Sequence, residues 1–166
     1  MKLKILWVGK TKSSPIKALT GDYLERIRRI TPCEILEIRD PAKGREPRAA
    51  ERIQLESEDI FRQLPKAAIV VALDETGKQY DSEEFAHWLE AEQNGGTKEI
   101  AFVIGGPDGL GRDIAARARM VLSLGKMTWT HEMCRALLLE QIYRALCILN
   151  KIPYHKGLPQ SSDRRG

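Results

Sequence analysis

Cysteine is scarce in this chain: Cys33, Cys134 and Cys147 are the only three in 166 residues, and no two form a CxxC pair. An odd count without that spacing argues against a disulfide framework and against a structural zinc site. Histidine is equally rare, with His87, His131 and His155, so no metal centre is expected. No GxSxG elbow marks a serine hydrolase. No apolar run approaches the roughly 18 residues of a membrane span. The uncharged stretch 5–9 is too short for a secretory signal. A cytoplasmic protein with no membrane partner is the expectation.

What remains is a soluble globular composition, 42% hydrophobic and 30% charged. Lys plus Arg total 27 and Asp plus Glu 23, a formal net charge of +4. That excess permits a polyanionic partner without demanding one. The length suits one domain with a real core, here residues 1–156, followed by a polar tail at 157–166 (GLPQSSDRRG).

The hydrophobic pattern alternates strands with helices. Residues 3–8 read as a strand. Ser14-Pro15 offers an N-cap and a first-turn proline for a helix that Pro32 ends. Residues 33–38 read as a strand, 40–47 as a polar loop and 48–64 as a charged helix. Residues 67–73 (AAIVVAL) form a continuous apolar run of strand length, as in parallel sheets. Residues 74–78 (DETGK) read as a turn. Asp81 and Glu84 have capping-box spacing ahead of Phe85, Trp88 and Leu89. Residues 99–104 predict another buried strand, 112–119 a short helix, 120–124 a short strand, and Thr130 caps a long helix to about Leu149. The class is therefore α/β with a mostly parallel sheet flanked by helices.

Four stretches carry possible chemistry. GGPDGLG (105–111) follows a buried strand at its carboxyl end, where open α/β sheets bind ligands and where glycine lets a ligand approach the backbone. It lacks the GK[ST] of a P-loop and does not fit GxGxxG; an ordinary turn is the plain alternative. LSLGKMTWTH (122–131) offers backbone donors, two threonine hydroxyls and an indole, suited to a purine and its sugar or to a simple loop. The last helix has an apolar stripe of Leu137, Leu138, Ile142, Ala145, Leu146 and Leu149, fit for core or dimer interface, with Arg135, Glu140, Gln141, Tyr143 and Arg144 at other positions. Gln141 and Arg144 share a face. Pro153-Tyr154-His155-Lys156 joins a ring, an imidazole and a cation that can stack on a base, exchange a proton and pair with phosphate; it is equally a plain surface terminus.

GGPDGLG, LSLGKMTWTHEMCRALLLEQIYRA and PYHK, in that order, together resemble the ribosomal RNA large-subunit methyltransferase H family, small SPOUT-type (α/β-knot) enzymes. The N-terminal MKLKILWVGK fits too, so the resemblance covers residues 1–156. It implies S-adenosylmethionine as cofactor, N3-methylation of a pseudouridine in large-subunit (23S) rRNA on the assembled ribosome, a C-terminal trefoil knot and a homodimer. The family's cofactor positions fall on Leu73, Gly105, Leu124, Gly125, Lys126, Met127, Thr128 and Trp129. Its substrate positions fall on His131, Arg144, Tyr154, His155 and Lys156. The chain departs from the family pattern at Gly125, usually Ser, at Thr130, usually Pro, and in the ten residues after Lys156.

The implied chemistry is transfer of an activated methyl to a ring nitrogen, so the protein mainly orients the reactants. Arg144 would balance charge developing on the imide, with His155 as base and His131 as second choice. Two other classes compete: a cofactor-free RNA- or ribosome-binding module on the same fold, and a nucleotide-phosphate enzyme using the glycine loop. Failure to bind S-adenosylmethionine marks the first; nucleotide hydrolysis marks the second.

Overall fold

A computed structural model describes residues 1–41 and 48–155. The expected loop at 42–47, Lys156 and the tail at 157–166 lie outside the described residues. Ten elements alternate: β1 (Lys2–Val8), α1 (Ser14–Arg28), β2 (Cys33–Ile38), α2 (Ala49–Gln63), β3 (Ile69–Gln79), α3 (Ser82–Asn94), β4 (Glu99–Ile104), α4 (Arg112–Arg117), β5 (Met120–Ser123) and α5 (His131–Leu149). The strands form one sheet in the order β2-β1-β4-β3-β5, and every pairing is parallel.

Side-chain alternation along each strand divides the core between the two faces. Leu3, Ile5 and Trp7 of β1, with Ile100 and Phe102 of β4, pack with Ile27 of α1, Phe85 and Leu89 of α3, and Leu138 and Ile142 of α5. Leu6 and Val8, with Ala101 and Val103, pack with Ile60 of α2 and Ile114 of α4. All five residues 100–104 of β4 are buried, as expected of a strand covered on both sides. Full burial of each large aliphatic side chain stabilises by about 1.5–3 kcal/mol.

The helix ends follow local chemistry. Ser13, one residue earlier than the expected cap, accepts from the Ile16 amide, and Pro15 sits in the first turn of α1. This helix stops at Arg28, short of the Pro32 expected to end it. Asp81 and Glu84 form the expected capping box of α3. Thr130 caps α5 through the Met133 amide, so the departure from proline costs no cap.

One reading is corrected. Residues 74–78 are not a turn: β3 continues to Gln79, with a register shift between Leu73 and Lys78 in its pairing with β5. Gly77 makes the second half possible. A Cβ there would lie 2.6 Å from the Val121 carbonyl oxygen, so only glycine permits so close an approach of the strands. Arg135, placed off the apolar stripe of α5, nevertheless belongs to the interior. It is fully buried, with its guanidinium 4.9 Å from the Trp7 ring centre and bonded to the Val8 carbonyl and Thr11 hydroxyl.

Candidate active site

The middle of β3 and the carboxyl ends of β4 and β5 converge on a cavity of about 760 Å³. That size suits a small-molecule or cofactor site. Leu73, at the end of the apolar part of β3, and Gly105, directly after β4, form part of its wall. Leu124, Gly125, Met127, Thr128 and Trp129 from the β5–α5 connection form another part. Seven of the eight expected cofactor positions thus line one space; Lys126 is not among the lining residues. His131, expected on the substrate side, lines the same cavity.

Main chain makes much of the wall. A Cβ on Gly105 would sit 2.5 Å from the Gly109 carbonyl oxygen, because the loop folds back on itself through the Gly106–Gly109 bridge. The rim is acidic. Asp74 and Glu75 come from the continuation of β3 and Asp108 from the glycine loop. Asp74 accepts from the Thr76 amide at 2.8 Å, and Thr128 donates to Glu75 at 2.7 Å, tying the two walls together. Sequence reasoning missed Asp74, Glu75 and Thr76 because DETGK read as a turn. The available signal was its place at the carboxyl end of a buried strand.

His131 is half-buried beneath this rim. Burial is the main cause lowering its pKa from the usual histidine value, and the Arg135 charge adds to it. A neutral imidazole able to accept a proton therefore faces the cavity near pH 7.

Arg144, Tyr154 and His155 gather elsewhere, on the C-terminal half of α5. Arg144 pairs with Glu140 one helical turn earlier and lies 4.9 Å from the Tyr154 ring centre. The Tyr154 hydroxyl donates to Glu140 at 3.0 Å and meets the Tyr23 hydroxyl at 3.0 Å. His155 places Nδ1 3.5 Å from the Arg144 guanidinium and Nε2 3.7 Å from Glu83. The Glu140 hydrogen bond raises the Arg144 pKa, and burial followed by Tyr23 and Glu140 raises that of the Tyr154 phenol. Tyr23, Glu83 and Glu140 had no sequence signal, since they act only by meeting PYH in space. At about 1.5 Å per residue, Arg144 lies about 20 Å along α5 from His131. None of Arg144, Tyr154 and His155 lines the cavity.

A family model described as "Predicted SPOUT methyltransferase" matches residues 1–155. The chain belongs to the SPOUT methyltransferase family. Among its relatives, a protein named ribosomal RNA large subunit methyltransferase H from Trichlorobacter lovleyi (strain ATCC BAA-1151 / DSM 17278 / SZ) is 44% identical, covering 93% of this chain and 99% of its own. One of the same name from Geobacter metallireducens (strain ATCC 53774 / DSM 7210 / GS-15) is 46% identical with the same coverage. A solved structure of a probable methylase family protein from Haemophilus influenzae Rd KW20 superposes with a TM-score of 0.53 at 13% identity, covering 96% of this chain and 72% of that one. At that identity the likeness concerns the fold alone. In this SPOUT methyltransferase the glycine loop and the β5–α5 connection share one cavity, while the PYH segment packs on the far half of α5. Among the described residues no helix is long and apolar enough to cross a membrane.

Proposed function

We propose that this chain is an S-adenosylmethionine-dependent methyltransferase that methylates N3 of a pseudouridine in large-subunit (23S) rRNA within the assembled ribosome. The observation that carries the reading is the convergence of Leu73, Gly105 and the 124–129 connection on one cavity, in a chain related over its length to proteins named large-subunit rRNA methyltransferases. The residues present fit the cofactor. Leu73, Leu122 and Leu124 give an apolar wall, exposed main chain gives donors and acceptors, and Asp74, Glu75 and Asp108 at the rim suit a ligand with net positive charge. When bound, S-adenosylmethionine supplies a methyl group already activated on a sulfonium.

The chain's own part is orientation and charge control. Leu73, Gly105, Leu124, Gly125, Met127, Thr128 and Trp129 hold the cofactor, with Lys126 flanking them. Arg144, Tyr154, His155 and Lys156 serve the RNA. Arg144 offsets negative charge growing on the imide as N3 loses its proton. His155 accepts that proton, with His131 the second choice.

The separation along α5 supports a homodimer. One nucleotide cannot reach both a cavity at the start of α5 and Arg144 about 20 Å away, whereas a second copy can bring its own PYH segment to the cavity mouth. Met127 (76% exposed) and Trp129 (41%) at that mouth are large apolar side chains for a partner to cover. The C-terminal knot and the domain limits at 1–156 belong to the same reading, as does a cytoplasmic location beside ribosomes. Light scattering tests the dimer: a clean 18.8 kDa species at micromolar concentration contradicts it.

The deciding experiment is mass spectrometry of rRNA after incubating unmethylated ribosomes with the protein and labelled S-adenosylmethionine. A single labelled methyl on a large-subunit pseudouridine is expected. Tight ribosome binding with neither cofactor binding nor methyl transfer would favour a non-catalytic module.

A further inference from the structure

The glycine loop does not stand by itself. Behind it, on the side away from the cavity lining, α2 presents three polar side chains that the methyl-transfer reading leaves without a task. Glu56 and Ser57 are each 2% exposed. The Glu56 Oε2 atom accepts from the Gly106 amide at 3.3 Å. Its Oε1 is buried and has no hydrogen-bond partner among the described residues. A Cβ on Gly106 would lie 2.6 Å from that oxygen, so carboxylate and loop backbone are in direct contact.

The contact extends along the loop. One turn earlier on α2, the Arg52 guanidinium lies 3.4 Å from Asp108. One residue later, the Ser57 hydroxyl and the Asp113 carboxylate both close on Gly111 and leave no room for a Cβ there. Helix α2 thus holds the loop by a hydrogen bond at Gly106 and an ion pair at Asp108 and packs against it at Gly111, and Gly105, Gly106 and Asp108 also line the cavity. A buried carboxylate is expensive to keep, and Glu56 lies on α2 beside Ile60, a member of the apolar cluster on this face. An aliphatic residue would fill the space under Gly106 without that cost, but could not fix the amide.

We propose that Glu56 is a positioning residue for cofactor binding: it holds the glycine loop in its binding shape through the Gly106 amide. This rests on the reading of the cavity as the S-adenosylmethionine site. The ionised carboxylate makes the stronger, charge-assisted bond to the amide; the protonated form holds the loop less firmly. Burial is the main cause raising the Glu56 pKa, to about 7, with Asp40 and Asp108 adding to it and the Gly106 amide and Arg52 opposing. Among the described residues, the charged groups facing Glu56 are Asp40 just after β2, Arg52 on its own helix and Asp108 on the loop, with Asp113 of α4 beyond Ser57.

Two measurements on wild type, E56Q and E56A test this between about pH 6 and pH 8: calorimetric titration with S-adenosylmethionine, and amide hydrogen exchange across residues 105–110 in cofactor-free protein, corrected for intrinsic rates. Wild type should bind about fivefold more weakly at the lower pH, in step with protonation of one group, and its loop should exchange faster there. E56Q should show neither pH dependence. E56A should exchange fast and bind weakly at both values. A wild-type profile that is flat, or that E56Q reproduces, overturns the proposal, as does an E56A loop protected like the wild type. If E56A does not fold, the E56Q profile decides. If the wild type binds no S-adenosylmethionine, the cofactor reading fails, and loop exchange still judges Glu56.

Discussion

Arg144 and Glu140 are paired one turn apart on α5, and the same Glu140 oxygen receives the Tyr154 hydroxyl. The cation is therefore held in place before any RNA arrives, and it is held away from the cavity that contains His131. Arg144→Ala should leave S-adenosylmethionine affinity within about twofold of wild type and lower turnover on ribosomes about a hundredfold, the loss typical of one charge-stabilising donor. Loss of cofactor affinity in this variant would put Arg144 on the wrong ligand.

Gly105→Val should abolish cofactor binding by reshaping the loop rather than by filling the cavity. The new Cβ meets the Gly109 carbonyl oxygen at 2.5 Å and the Leu110 nitrogen at 3.0 Å, and because both are backbone no flexible side chain can give way. Calorimetry should show no S-adenosylmethionine binding while far-UV circular dichroism stays near wild type. Unchanged affinity would remove Gly105 from the site.

The sheet and its parallel class were legible because AAIVVAL and the 99–104 run have strand length, and the capping box at Asp81 marks a helix start by local chemistry alone. Residues 74–79 were not legible. Their polar, glycine-bearing sequence has turn composition, and only the Val121 backbone across from Gly77 makes them a strand. Asp74, Glu75 and Thr76 of the candidate site had the same fate. Leu73 closes an apolar run and Gly105 directly follows β4, boundaries that sequence pattern marks. Glu56 lies in a helix of ordinary charged composition, and its burial depends on a loop fifty residues later. The burial of Arg135, off the apolar stripe, was not legible either, because nothing in α5 itself announces Trp7.

Glu56 should also be visible in stability. Its carboxyl is raised to about 7 in the folded chain from an ordinary value of 4.5. Between those values the folded protein binds a proton that the unfolded chain has released. The corresponding stability is fully present below pH 4.5 and lost as pH rises through 7. Glutamine has no such loss, so E56Q should match wild type in acid and exceed it at pH 8 by about 1–3 kcal/mol. Thermal melts of both proteins across this range check it. A constant difference would mean that Glu56 does not titrate in the window. Other carboxylates, such as Glu34 held ionised by Lys2 and Lys4, are common to both proteins and cancel.

Arg135 makes the strongest stability claim. Its guanidinium is fully buried and lies over the Trp7 ring, donating to the Val8 carbonyl at 2.6 Å and to the Thr11 hydroxyl at 2.8 Å. Its neighbour Glu132 accepts from the Lys12 and Ser13 amides. The start of α5 therefore pins the β1–α1 connection through two residues three positions apart. Burial lowers the Arg135 pKa, yet a guanidinium stays charged near neutral pH. Methionine fills similar volume but leaves the Val8 carbonyl buried without its donor, an arrangement that costs about 1–3 kcal/mol, with the lost stacking added. R135M should melt about 5–10 °C below wild type, following the usual scaling for a chain of this length. R135K should fall between them, because an ammonium cannot reach both acceptors in one plane while stacking on Trp7. A melting temperature for R135M at or above that of wild type would show that the buried charge is a net cost, and that Glu132 alone suffices to hold the connection.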